Sequence, residues 1–386
     1  MQNQVHSTGT PHSSQAPSAN IWVHRAVFEL RSGRAVVIED AEKTRILVLA
    51  CEQASQERLD SLTKLSSNVT FLALSNERAK SLGLIGPKTS EVVLQSLPTH
   101  IEPQTLHRFA DPLLPAPDAK GHNFEPVSIT PDDGVQAAAI GLLKLAHLLP
   151  TALYTCLPEM EKTNFEGWAK EHNILGVQAA DIFASESYEA ETLVRVSEAA
   201  VPLIHAEQAH VIAYRPQNGG LEHLAIVIGH PQQSEKAPLI RIHSQCFTGD
   251  LLGSLRCDCG DQLRGAIQAI AKDGHGVLIY LAQEGRGIGL VNKLKAYVLQ
   301  DQGADTLDAN EKLGFRADER VYAAAAFMLK DLGLTKVRLL TNNPSKLDAL
   351  SRADIEVVAR IRHAFPSNQH NETYLQTKKD KGGHLL

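Results

Sequence analysis

The sequence predicts an α/β (α+β) chain of two domains, each a mixed sheet packed with helices, and three observations carry that prediction. The chain has 386 residues, long enough for two hydrophobic cores. From Ile21 to about Ser187, short apolar runs alternate with helical stretches, the rhythm of an α/β domain. Near Leu193 this gives way to successive strand-like alternations before the strand and helix order returns.

Taken in order, residues 1–20 (MQNQVHSTGTPHSSQAPSAN) offer almost nothing to bury and read as a disordered tail. AVFELRSG then reads as a helix ended by glycine, AVVIED and RILVLA as buried strands, SQERLDSLTKLSS as a helix and FLALS as a strand. A proline-containing connection spans Pro112 to Pro126, followed by an apolar helix (GVQAAAIGLLKLAHLL), a strand (TALYTCL) and a helix (NFEGWAKEHNIL). The second domain, 193–386, opens with VRVSEAAVPL, AHVIAYRP, HLAIVIGHP and APLIRIHSQC, which alternate like strands of an antiparallel sheet. The last of these delivers His243 and Cys246 to one end of the sheet. CGDQLRGAIQAIAKDG is an amphipathic helix stopped by Gly274, VLIYLA a buried strand, and EGRGIGL a glycine-punctuated turn into the helix LVNKLKAYVLQDQ. GADTLDANEKLGFRADER reads as a charged loop. A helix (YAAAAFMLKDLG), a strand (VRLLT), a helix opened by NNPSK with Asn343 as cap and Pro344 at its first position, and a final strand (ADIEVVARI) complete the order.

Composition excludes several functions. A net charge of −6 and 5% aromatic residues indicate no nucleic-acid surface and no membrane face. No apolar run approaches the ~20 residues of a membrane span, and the N-terminus lacks the charged-then-apolar order of a signal peptide, so a cytoplasmic protein is expected. The five cysteines are odd in number and three of them cluster, which favours reduced thiols over a disulfide framework. Cys51 and Cys156 sit in apolar settings and read as core residues.

Cys246, Cys257 and Cys259 form a Cys-x10-Cys-x-Cys pattern. Three thiolates suit zinc and leave a fourth tetrahedral position for water, so water chemistry is expected here. Taken alone, the pattern also fits buried apolar cysteines or a structural zinc knot. The EGRGIGL turn and the NNPSK helix start both aim backbone N–H groups where an anion can sit, with Lys346 adding a charge.

Together the cysteine pattern, QEGRGIGL, QDQGADT, LGFRADER and LLTNNPSK closely resemble the GTP cyclohydrolase II family, which opens the guanine ring of GTP to begin riboflavin synthesis. The resemblance covers roughly residues 193 to 386. It implies one zinc per chain on Cys246, Cys257 and Cys259, and magnesium on the GTP phosphates. GTP contacts are implied for Arg241, Ile242, His243, Ser244, Gln245, Gln262, Glu284, Gly285, Arg286, Thr306, Thr341 and Lys346, and catalytic roles for Asp318, Arg320 and Tyr297. The expected products are formate, pyrophosphate and 2,5-diamino-6-(5-phosphoribosylamino)pyrimidin-4(3H)-one, and the expected assembly is a homodimer. One departure is Gln245, where the family pattern leads one to expect glutamate.

Residues 21–187 weakly resemble the dihydroxybutanone-phosphate synthase family in element order and in fragments such as WAKEHNILGVQAADI. IEDAEKT and DDGVQA stand where that family carries its acidic, Arg-containing and Gly-His-Thr-Glu motifs, and its later catalytic glutamate falls near Cys156. Without acid–base groups and metal ligands this domain is expected to be non-catalytic. Three other readings stay open on sequence alone: an active first domain, a cyclohydrolase for another nucleotide or a pyrimidine-pathway substrate, and a zinc-stabilised binding protein.

Overall fold

The computed structural model describes residues 17–66, 69–85, 92–97, 101–117, 127–129, 134–160, 162–371 and 376. Its first half runs α1 (Pro17–Arg31), β1 (Val36–Glu39), β2 (Arg45–Ala50), α2 (Gln56–Leu65), β3 (Thr70–Leu74), α3 (Asn76–Ser81), β4 (Val92–Ser96), α4 (Pro103–Ala110), β5 (Val127–Ile129), α5 (Val135–Leu145), β6 (Thr151–Cys156), α6 (Lys162–Glu171), β7 (Leu175–Gln178) and α7 (Ala179–Glu191). The strands make one seven-stranded sheet in the order β5-β4-β3-β6-β2-β1-β7, antiparallel except where β1 meets β7. Because side chains alternate along a strand, Val36 and Ile38 enter one core with α1, α5 and α7, while Val37 enters a second core on the opposite face.

The second half runs β8 (Leu193–Ala200), β9 (Ala209–Pro216), β10 (His223–Ile228), β11 (Leu239–Ser244), α8 (Cys259–Asp273), β12 (Gly276–Leu281), α9 (Gly289–Asp301), α10 (Thr306–Lys312), α11 (Ala323–Asp331), β13 (Lys336–Leu340), α12 (Pro344–Arg352) and β14 (Glu356–Ile361). A second seven-stranded sheet has the order β14-β13-β11-β12-β10-β9-β8. It is antiparallel from β8 to β12 but parallel across β12, β11, β13 and β14. Both sheets are therefore mixed, as expected, although β11 does not join the antiparallel series assigned to it. Helix α8 carries the chain from β11 back to start β12 alongside, and such a crossover makes neighbours parallel. No helix among the described residues is long and apolar enough to cross a membrane.

Three further expectations need correction. Helix α1 begins at Pro17, so the tail expected over 1–20 cannot reach residue 20; Asn20 is buried on the stripe continued by Val23, Ala26 and Leu30. Residues 1–16 lie outside the described residues. Helix α7 passes the expected boundary at Ser187 without a break, because Ile182 packs in the first sheet's core and Ala190 in the second's. The charged loop contains α10, capped by Asp305, whose side chain accepts hydrogen bonds from Leu307 and Asp308 N–H.

The last correction bears on the site. On the face of the first sheet formed by Val37, Leu47, Leu49 and Leu153, the cover includes Ile288, Ala296 and Leu299 around α9 and Ala309, Leu313 and Phe315 around α10. The second half thus completes a core of the first. Cys51 is buried in that core, as expected, and Cys156 packs half-buried against the opposite one.

Candidate active site

Alternation along β11 sends Ile240 and Ile242 into the core and turns Arg241 and His243 to the other face. Arg241 donates to the Leu340 carbonyl at 2.9 Å and to Gln262 Oε1. Burial pushes its guanidinium down to about 10, against the opposing pull of Asp258 and Cys259. His243 Nε2 lies 3.1 Å from Asp250, which also accepts from the Tyr280 hydroxyl and the Cys246 N–H, each at 2.9 Å. One carboxylate therefore fixes the histidine, the tyrosine and the first cysteine.

The three predicted cysteines converge. Cys246 ends β11's extension, Cys259 starts α8, and the sulfur atoms of Cys246, Cys257 and Cys259 lie within 4.8 Å of one another. Gly249 makes room for them: a Cβ there would fall 2.7 Å from Cys257 Sγ and 3.0 Å from Cys246 Sγ. Hydrogen bonds from Cys257 and Cys259, with Lys293 adding its charge, hold the Cys246 thiol far below its ordinary value. A soft metal ion could be held by this set.

Lys293 was not anticipated. Its ammonium lies 3.0 Å from Cys246 Sγ, 3.0 Å from Thr248 Oγ1 and 2.8 Å from Glu284 Oε1. Glu284 in turn accepts from the N–H groups of Phe247 and Gly285. One helical turn beyond Lys293, on the same face of α9, the Tyr297 hydroxyl lies 3.3 Å from Thr248 Oγ1. The only sequence signal for Lys293 was this i, i+4 spacing to Tyr297.

The chain turns sharply at Glu284–Gly287, where Gly285, Arg286 and Gly287 all take positive φ (65°, 62° and 90°). The Arg286 carbonyl then accepts the Glu319 N–H at 3.0 Å, which docks the segment holding Asp318 and Arg320. Arg320 Nε and Nη2 both donate to the Asp318 carboxylate, the first at 2.8 Å. Burial alone would raise the Asp318 pKa, but Arg320 outweighs it and holds the group below the usual carboxylate value. Asn343 caps α12 through the Ser345 N–H, and Lys346 donates to the Ile242 carbonyl at 2.7 Å.

These parts wall one open cleft of about 1150 Å³. Every predicted site residue lines it except Ile242 and Asp318. Ile242 is fully buried and contributes only the carbonyl that anchors Lys346, and Asp318 stands behind Arg320. Arg256, Gln283, Asn310, Asn342 and Asn343 line the cleft as well, unanticipated as wall residues. Four buried polar atoms of the wall, Arg241 Nε, His243 Nδ1, Ser244 Oγ and Gln283 Oε1, have no hydrogen-bond partner among the described residues. Groups left unpaired in this way mark a surface shaped for a polar ligand.

The GTP cyclohydrolase II family model matches residues 194–362, a stretch containing the whole cleft wall. GTP cyclohydrolase-2 of Azospirillum brasilense is 49% identical over 365 residues, covering 94% of each chain. The chain belongs to the GTP cyclohydrolase II family. As a member it is an enzyme of riboflavin biosynthesis. The riboflavin biosynthesis protein RibBA of Chlamydia trachomatis is 36% identical over 397 residues, covering 94% of this chain and 93% of that one. A solved two-domain 3,4-dihydroxy-2-butanone 4-phosphate synthase from A. baumannii overlaps 89% of this chain and 99% of its own, at 18% identity and a TM-score of 0.36.

Proposed function

We propose that this enzyme hydrolyses GTP with zinc held by Cys246, Cys257 and Cys259 and magnesium on the phosphates, releasing formate and pyrophosphate to give 2,5-diamino-6-(5-phosphoribosylamino)pyrimidin-4(3H)-one. The observation that carries the reading is the convergence of three thiols with Arg241, Arg286, Arg320 and Lys346 on one cleft in a chain of this family. The thiols fit the metal: Cys246 and Cys257 sulfurs are 3.7 Å apart. That is close to the edge of about 3.8 Å expected for a tetrahedron with zinc–sulfur bonds of about 2.3 Å. Zinc held by these three thiolates would supply Lewis acidity and would lower the pKa of a water that could attack carbon 8 of the purine.

The protein's own groups do the rest. Lys293 offsets the negative charge of the thiolates and Glu284, and Gly249 keeps the sulfurs free of a crowding methyl. Arg241, Arg286 and Lys346 supply cations for the triphosphate. Asp318, a carboxylate at neutral pH, orients the Arg320 guanidinium by two side-chain hydrogen bonds for chemistry at the α-phosphorus. Gln245 places a neutral amide beside the first cysteine, so positioning there depends on hydrogen bonding instead of charge.

The same reading makes residues 21–187 catalytically silent and the enzyme a cytoplasmic homodimer. Val291, Leu294 and Val298 on the outer face of α9, with Leu251, Leu252 and Leu255 in the loop against it, form an exposed apolar surface that supports self-association. The test is incubation of the zinc-loaded chain with GTP and magnesium, following formate, pyrophosphate and the pyrimidine by absorbance and mass. Failure of the loaded protein to release formate from GTP would end this reading.

A further inference from the structure

The segment between α10 and α11 carries Asp318 and Arg320 toward the cleft, but Glu319 between them faces the other way, into the first half of the chain. Its carboxylate accepts from Lys144 Nζ at 2.6 Å, from the Arg316 N–H at 2.8 Å and from Arg316 Nε at 2.8 Å. The pair is poorly hydrated, with side-chain exposures of 22% for Lys144 and 8% for Glu319. Burial disfavours the Glu319 carboxylate, yet Lys144 and Arg316 hold its pKa below the ordinary value, so Glu319 is a carboxylate at neutral pH.

Lys144 is rigidly mounted. It lies in the last turn of α5, where its neighbours Leu142 and Leu143 are fully buried in the first sheet's core. Just beyond the same helix end, the His147 carbonyl accepts from Asn292 Nδ2 at 2.8 Å. Gly289 opens α9 at φ 82° and passes so close that a Cβ there would lie 2.9 Å from His147 Cβ and Cγ. The end of α5 thus grips the start of the helix bearing Lys293 and Tyr297, and also the segment bearing Arg320.

We propose that Lys144 is a positioning residue for the Asp318–Arg320 pair, so that the first half of the chain takes part in turnover through a salt bridge to the residue between them. The inference rests on the reading of GTP hydrolysis given above. Glu319 is held from both sides, its N–H by the Arg286 carbonyl and its carboxylate by Lys144. With the middle residue pinned, the backbone directions of Asp318 and Arg320 are set before substrate arrives.

The test uses the full zinc-loaded chain and the variants Lys144→Met, Lys144→Arg, Glu319→Gln and the Lys144→Met/Glu319→Gln pair. Lys144→Met should lower kcat for GTP by about tenfold to a hundredfold, with KM within about twofold. Zinc content and thermal midpoint should stay close to those of the unsubstituted chain. Lys144→Arg should restore most of the loss, and the double variant should be little worse than either single one. Amide exchange over 316–322, where Glu319 and Arg320 N–H groups are both hydrogen-bonded, should quicken several-fold in Lys144→Met. Unchanged kcat and unchanged exchange would overturn the proposal, as would losses that add in the double variant. Absence of GTP turnover in the unsubstituted chain would instead remove the proposed function, and the exchange measurement would still decide whether Lys144 orders the segment.

Discussion

Removing residues 1–192 should leave a fragment that does not hold its fold. The family model begins at residue 194, so such a cut looks natural from the sequence. The structure argues otherwise, because Ile288, Leu299, Leu313 and Phe315 are 1%, 3%, 0% and 0% exposed within one buried cluster that also holds Leu47, Leu49, Phe109 and Leu153 of the first half. Four large apolar side chains returned to water forfeit roughly 6–12 kcal/mol at about 1.5–3 kcal/mol each. The Lys144–Glu319 and Lys295–Asp111 bridges go with them. Net stabilities are only about 5–15 kcal/mol, so the fragment should sit near the edge of unfolding. Far-UV circular dichroism melts, light scattering after gel filtration and dye binding to exposed apolar surface would read this. A soluble fragment that melts cooperatively within a few degrees of the full chain and binds no dye would refute the reasoning. In the full chain, Phe315→Ala should cost about 3–5 kcal/mol by the same contact.

Other outcomes follow from the site. Cys257→Ser should abolish zinc binding and formate release together while leaving the protein folded, and Gly249→Ala should lower zinc affinity by pressing a methyl on two sulfurs; metal analysis and chelator competition measure both. Asp318→Asn and Arg320→Ala should each stop turnover with zinc content intact, as read by formate release and metal analysis. His363 donates through Nε2 to the Gln262 carbonyl at 2.8 Å, and burial followed by Arg241 pushes its pKa down from 6.5 to about 4. Its stabilising effect is therefore complete above about pH 6.5 and drains away toward pH 4, because the unfolded chain takes up a proton that the folded one refuses. Between pH 7 and 5 this should amount to about 2 kcal/mol, missing in His363→Asn, as read by denaturant melts at the two pH values.

Legibility in the sequence followed the range of the forces. RILVLA could be read as a buried strand because its six residues are all buried in β2, a local pattern that no partner alters. The cysteine set was readable because a metal site needs particular donors, and spacing reveals donors. Which strands flank β11 was not readable, since alternation gives a strand its faces but not its neighbours. Helix α10 was hidden because its seven residues, TLDANEK, include three charges and a single large apolar side chain, and the apolar contact that steadies it comes from the far half of the chain. Lys293 and Lys295 look alike in LVNKLKAY. The first reaches Cys246 and Glu284, and the second pairs with Asp111 at 2.7 Å, a difference only tertiary packing makes.

The shared core also sets a schedule for synthesis. The first sheet is complete once β7 has left the ribosome, but Leu299, Leu313 and Phe315, which finish one of its faces, emerge only after more than a hundred further residues. At about 5–20 residues per second, that face stays uncovered for roughly 6 to 27 seconds. During that interval Leu106, Phe109 and Leu153 are candidates for chaperone binding or for capture by another nascent chain. Slowing translation between β7 and α10 should therefore lower the soluble yield, while slowing it after β14 should not.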